Sequence, residues 1–159
     1  MPSWLTEFTA GLPSAGEFAR IVIRLAVAMA VGAMVGINRE HMHKPAGFRT
    51  HVLVSLGASV FALAGEMAGM GVADVARIVQ GIAAGIGFIG AGAILKTQAD
   101  QHVRGLTTAA SIWLTAAAGV AAGVGRLGLA IIAGLLTWFT LSVLRRFEGH
   151  PQEGRDGQR

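Results

Sequence analysis

The chain has no cysteine, which excludes disulfide frameworks, thiolate metal sites and thiol nucleophiles. Charge is scarce as well. Only 14% of the 159 residues are Asp, Glu, Lys or Arg, against about a quarter in an ordinary soluble domain, so a water-soluble globule is excluded. No Asp or Glu lies deep inside an apolar stretch, which argues against a cation path through the bilayer, because such paths are marked by buried acids. A basic patch with interleaved aromatics is missing too, and nucleic acid is not an expected partner. The first twenty residues carry Pro2, Glu7, Pro13 and Glu17. They lack the basic start and unbroken apolar stretch of a cleaved signal peptide, so the first span is expected to stay in the mature protein.

Apolar residues and glycine fill the space that charge leaves. Hydrophobic residues make up 53% of the chain, with 23 glycines and a positive mean hydropathy. Five apolar stretches stand between charged or turn-forming residues: 21–37, 51–64 with an extension towards 70, 78–95, 106–124 and 127–144. In hydrocarbon every backbone group must find an internal partner, so these stretches are read as helices. The sequence therefore predicts an all-α integral membrane protein, a bundle of about five transmembrane helices with tight glycine-mediated packing. Residues 1–20 are read as an N-terminal extracytoplasmic segment, 21–144 as the membrane domain and 145–159 as a charged, disordered cytoplasmic tail. Arg24 lies near the end of the first span, where its side chain is expected to snorkel to the headgroups.

Orientation follows from the Lys and Arg residues. With the N-terminus outside, Arg39, Lys44, Arg49, Lys96, Arg104, Arg145, Arg146, Arg155 and Arg159 fall inside; Arg20, Arg24, Arg77 and Arg126 fall outside. Nine against four favours N-out and C-in. The net charge of +4 is then an insertion signal and an affinity for anionic lipid.

Glycine spacing indicates how the bundle is assembled. Gly32 and Gly36, Gly81 and Gly85, and Gly119 and Gly123 are all G-x-x-x-G pairs, which let backbones approach closely. In the third span Gly81, Gly85, Gly87, Gly90 and Gly92 leave Ile82, Ile86, Ile89 and Ala93 on one narrow stripe. That helix is expected to be central, with the isoleucine stripe towards lipid. The segment GIGFIG, residues 85–90, also satisfies the G-x-G-x-x-G pattern, but no strand precedes it and a nucleotide reading is rejected.

Polar residues gather at one end. Arg39, Glu40, Arg49, Thr50 and His51 lie in and around the first inner loop, and Arg104, Thr107 and Thr108 follow the second. Thr50 is placed to cap the second span, and Thr107 or Thr108 the fourth. Helix N-terminal amides beside Arg39, Arg49 and Arg104 suit an oxyanion, either phosphate or a lipid headgroup; the competing reading is that these arginines only set topology. Asp74 can cap the third span and pair with Arg77. Metal ligation is not expected, because Glu40, His41 and His43 supply only short-range candidates. Ser55, Ser59 and Ser111 lie within spans without His and Asp partners, so nucleophilic catalysis is not expected either. No cofactor is indicated and the protein is read as a non-enzyme.

The stretches KPAGFRTHVLVSLGASVFAL, DVARIVQGIAAGIGFIGAGAILK and VRGLTTAASIWLTAAAGVAAGVG, at 44–63, 74–96 and 103–125, together resemble the membrane domain of the MgtC/SapB family. The likeness runs in order from about Asn38 to Gly125. It implies a bacterial inner-membrane protein of four or five spans, associated with adaptation to low magnesium, acid stress and, in pathogens, survival in macrophages. It implies a regulator more than a pump, one that binds the membrane part of the F-type ATP synthase and affects phosphate uptake. Positions that match the family motifs are Arg39, Glu40, Ala46, Gly47, Arg49, Thr50, His51, Asp74, Arg77, Gly85, Gly87, Gly90, Gly92, Arg104, Gly105, Thr107 and Thr108. The chain departs from the virulence-associated members in ending after the fifth span, without their ACT-like cytoplasmic domain. Gly81 and Ala84 stand where many relatives have Gln and a small polar residue. Two readings follow: a regulator that packs its helices against another membrane protein, or a small homo-oligomeric transporter or channel for Mg²⁺ or an anion.

Overall fold

The computed structural model describes residues 12–95 and 104–143. The expected tail, most of the N-terminal segment and Lys96 lie outside the described residues. Five helices run up and down: α1 (Ala15–His41), α2 (Phe48–Met67), α3 (Val72–Leu95), α4 (Leu106–Gly123) and α5 (Leu127–Val143). There is no strand among the described residues. Four of the helices are long and apolar enough to cross a membrane. The fifth, α5, has 17 residues, a rise of about 25 Å, within the range of a short span. The chain is an all-α membrane protein.

Local chemistry sets the boundaries. Helix α1 starts six residues before the apolar stretch because Ser14 and Glu17 form a capping box, with Ser14 N donating to Glu17 Oε2 at 2.8 Å and Glu17 N to Ser14 Oγ at 3.4 Å; two orphan amides are thereby satisfied. Three helices end alike. After α1, α2 and α4 the 6→1 bonds Lys44 N to Arg39 O, Met70 N to Gly65 O and Arg126 N to Ala121 O close Schellman motifs. The left-handed residues in those motifs are His43, Gly69 and Gly125; glycine takes that conformation without a Cβ clash, and His43 takes it against its preference.

Three expected caps are corrected. Helix α2 begins at Phe48 behind Gly47, and α4 begins behind Gly105 at φ 96°, neither capped by a side chain of its own N-cap residue. Thr50, Thr107 and Thr108 lie inside the first turns instead. Asp74 sits in the first turn of α3, which starts at Val72.

The centre of the bundle is α4, which touches α1, α2, α3 and α5. Its Gly119 and Gly123 lie against the backbone of α2: a Cβ on Gly123 would stand 2.5 Å from the Ser59 carbonyl, and one on Gly119 would overlap the Ser55 carbonyl. Gly32 and Gly36 do the same for α1, where a Cβ would meet the His51 carbonyl at 2.6 Å and Phe48 Cα at 2.7 Å. Dispersion between backbones at this range is a gain that lipid tails do not offer.

The expectation of a central third span is overturned. Among the described residues helix α3 touches only α2 and α4, and of those whose burial is described only Ile86, Gly90 and Ala93 are buried. All of its isoleucine stripe but Ile89, which stays exposed, turns inwards: Ile86 and Ala93 join the core with Ile112 and Ala116, and Ile82 packs on them. Among the described residues Gly81, Gly85, Gly87 and Gly92 have no neighbour within 4 Å of a built Cβ, and only Gly90 meets another helix, at Ala109. Bulky side chains and Gly90 hold α3 to α4, and its other glycines face outwards.

Candidate functional site

The polar residues of the basic end are brought together by α4. Arg39, in the last turn of α1, donates from Nη2 to Thr108 Oγ1 at 2.8 Å. Both residues are buried, Arg39 to 3% exposure. Its Nε has no hydrogen-bond partner among the described residues. Next to this pair, His51 bridges α2 and α4, with Nδ1 2.9 Å from Gly47 O and Nε2 3.1 Å from Ser111 Oγ. Ser111 in turn donates to Thr108 O at 2.8 Å, and Thr115 to Ser111 O at 2.7 Å. A carbonyl only accepts, so Nδ1 of His51 carries a hydrogen. The Ser111 hydroxyl then either donates to Nε2 of a neutral ring or keeps its bond to Thr108 and leaves Nε2 to donate.

The absence of a histidine partner for Ser111, expected from the sequence, is therefore corrected. The third member of the set is a backbone carbonyl, not a carboxylate, and His51 and Ser111 are both buried in the α2–α4 seam. Ser55 and Ser59 continue the polar line down α2, fully buried and with hydroxyls unpaired among the described residues. The sequence carried a signal for this: His51, Ser55 and Ser59 recur every four residues, as do Ser111 and Thr115, which puts each set on one helix face.

Other candidates fall elsewhere. Glu40 accepts from Phe48 N at 2.8 Å, so the chain's own carboxylate occupies the N-terminus of α2, one of the two helix starts read as an oxyanion site. Arg49 is exposed and Thr50 half-buried in the first turn of α2; Arg104 and Thr107 are exposed at the start of α4. Asp74 and Arg77 pair at 3.3 Å on the surface of the opposite end. No cluster of three or more His, Cys, Asp or Glu suited to a metal occurs among the described residues.

The sequence reading also missed a second polar contact. Arg24 does more than snorkel: its Nη1 pairs with Glu66 Oε2 at 2.6 Å and donates to Gly123 O at 2.9 Å. One side chain of α1 thus ties the ends of α2 and α4.

Comparison with known proteins adds family context. The family model described as the MgtC family matches residues 25–150. Protein SrpB of Synechococcus elongatus is 40% identical over 84% of this chain and 79% of its own length. The Escherichia coli K12 protein named "Putative magnesium transporter YhiD" is 38% identical over 80% of this chain and 62% of its own length. Protein MgtC of Brucella abortus is 40% identical over 69% of this chain. The chain spans 44% of the length of that MgtC and 48% of the length of Protein MgtC of Salmonella typhimurium. No solved structure matches.

Proposed function

The chain belongs to the MgtC family, and from that premise we propose that it is a non-enzymatic regulator in the bacterial inner membrane, acting in adaptation to low magnesium by packing α3 against another membrane protein. One observation carries this reading. On α3, Gly81, Gly85, Phe88 and Gly92 fall within about 60° of arc at 100° per residue, and the glycines of this face meet no partner among the described residues. Phe88 is 84% exposed. A flat glycine track with one aromatic knob gains little from fluid lipid and much from a second helix backbone. The magnesium connection comes from the relatives, YhiD by its name among them. By family resemblance, the F-type ATP synthase or a component of phosphate uptake is the partner.

A photoreactive amino acid at Phe88, in cells starved of magnesium, should yield one discrete heterologous adduct that Gly85→Leu removes. Adducts only to lipid or to a second copy would overturn the reading.

The transporter reading has the name of YhiD in its favour. Against it stands the α2–α4 seam, where Gly119 and Gly123 meet the Ser55 and Ser59 backbone too closely to admit a methyl group, let alone an ion. Mg²⁺ flux into vesicles carrying the protein would reinstate it.

The same reading places the N-terminus outside and the basic end inside, supported by the lysine and arginine count. Because the chain has no cysteine, single cysteines report this directly. An impermeant maleimide should label Arg126→Cys in intact cells, and Lys44→Cys only after permeabilisation; the reverse pattern would invert the topology.

A further inference from the structure

Arg39 presents an unusual problem in physical chemistry. A guanidinium carries five N–H donors and a fixed charge, yet its one hydrogen bond among the described residues goes to a neutral hydroxyl, Thr108 Oγ1. Its Nε is buried without a partner. A buried cation is strongly disfavoured unless an anion or several dipoles compensate it. The nearest acid in sequence, Glu40, is engaged with Phe48 N on the surface.

Thr108 belongs to the first turn of α4, whose N-cap is Gly105 with no capping side chain. The amides of that turn have no intrahelical acceptors, and the helix dipole places partial positive charge there. The buried guanidinium is thus aimed at an uncapped helix start. Around them the described residues add Lys44, Arg49 and Arg104, against Glu40 alone among acids at this end. The local field draws anions in.

We infer that Arg39, Thr108 and the N-terminus of α4 bind a tetrahedral oxyanion of the phosphate class. The donors fit such an ion better than a halide: the planar fork of Arg39 offers hydrogens to two oxygens, the Thr108 hydroxyl to a third, and the first-turn amides to the rest. At 3% exposure, Arg39 meets its ligand only when the residues packed over it give way. The same chemistry is presented by free phosphate and by a phospholipid headgroup. The site lies at the end of α1 and α4, away from the outward face of α3, so it stands or falls independently of the proposed helix partner.

The test uses the full chain in phosphatidylcholine nanodiscs, titrated calorimetrically with inorganic phosphate in chloride buffer. Native mass spectrometry on protein taken from membranes containing phosphatidylglycerol runs alongside. Saturable phosphate binding, weakened about tenfold by Arg39→Lys, which loses the fork and keeps the charge, and severalfold by Thr108→Val, identifies free phosphate. No phosphate binding, but one retained phosphatidylglycerol that both variants shed, identifies the headgroup. Arg126→Gln, at the opposite end, should change neither result. If Arg39→Lys does not fold, Thr108→Val decides alone, since it keeps the shape of the side chain. Absence of both kinds of binding, or binding that the folded variants leave unchanged, overturns the inference.

Discussion

Gly119→Ala is expected to destabilise the bundle by about 1–3 kcal/mol or more, whereas Gly81→Ala is expected to be neutral or to stabilise α3 slightly. Both residues begin a G-x-x-x-G pair in an apolar helix. A Cβ on Gly119 collides with the carbonyl, carbonyl carbon and Cα of Ser55, all backbone atoms of α2 that no rotamer change can move. The two helices must separate, and with them the contacts that bury Ser55, Ser59, Ile112 and Ala116. A Cβ on Gly81 meets nothing, so only the intrinsic preference of alanine for helix remains. Unfolding midpoints in mixed micelles, with accumulation in the membrane as a second readout, measure both. Equal losses at the two positions would mean that the Gly81 face of α3 is packed as closely as the Gly119 face of α4.

That contrast shows where the sequence was legible. The five helices follow from runs of apolar residues interrupted by charge, and the structure has each of them. Their boundaries shift by a few residues because caps depend on individual side chains: Ser14 and Glu17 lengthen α1, and Glu40 reaches across from α1 to the start of α2. The central helix was not legible. A glycine face marks the capacity for close contact, and the pairs in α1, α3 and α4 look alike in sequence. Which pair is used within the bundle depends on how the five helices are arranged, and helical periodicity does not contain that information. The inward turn of Ile82, Ile86 and Ala93 follows the same logic, since in lipid an isoleucine is equally at home on either side.

The polar site was legible as a list and not as a constellation. Arg39 and Thr108 were both candidates, but residues 69 apart in sequence give no sign that they touch. Arg49, Arg104 and Thr107, which the sequence made their equals, are exposed. The His51 to Ser111 contact was not legible because the two residues stand on neighbouring helices, 60 apart in sequence. Ser55 and Ser59 could have been found by their spacing from His51.

Arg24→Ala is expected to cost about 2–4 kcal/mol, and Glu66→Gln about 1 kcal/mol or less, although the two side chains form one ion pair. The asymmetry comes from what each residue leaves behind. Glu66 is half exposed, at 50%, and Arg24 only 17%. Loss of the acid leaves a guanidinium that still donates to Gly123 O and can admit water. Loss of the arginine strands that carbonyl in the last turn of α4, where backbone acceptors have no intrahelical partner, and removes the side chain that lies over the Gly125 turn within van der Waals range. It also unties α1 from α2 and α4 at the end opposite Arg39. Arg24→Lys should fall between the two, because an ammonium keeps the charge and can donate twice, as Nη1 does, but loses the guanidinium plane over the Gly125 turn. In a double-mutant cycle the coupling of Arg24 to Glu66 should then be well below the total cost of Arg24→Ala. Had Arg24 been a snorkelling topology residue alone, all three substitutions would leave stability within about 0.5 kcal/mol of the parent.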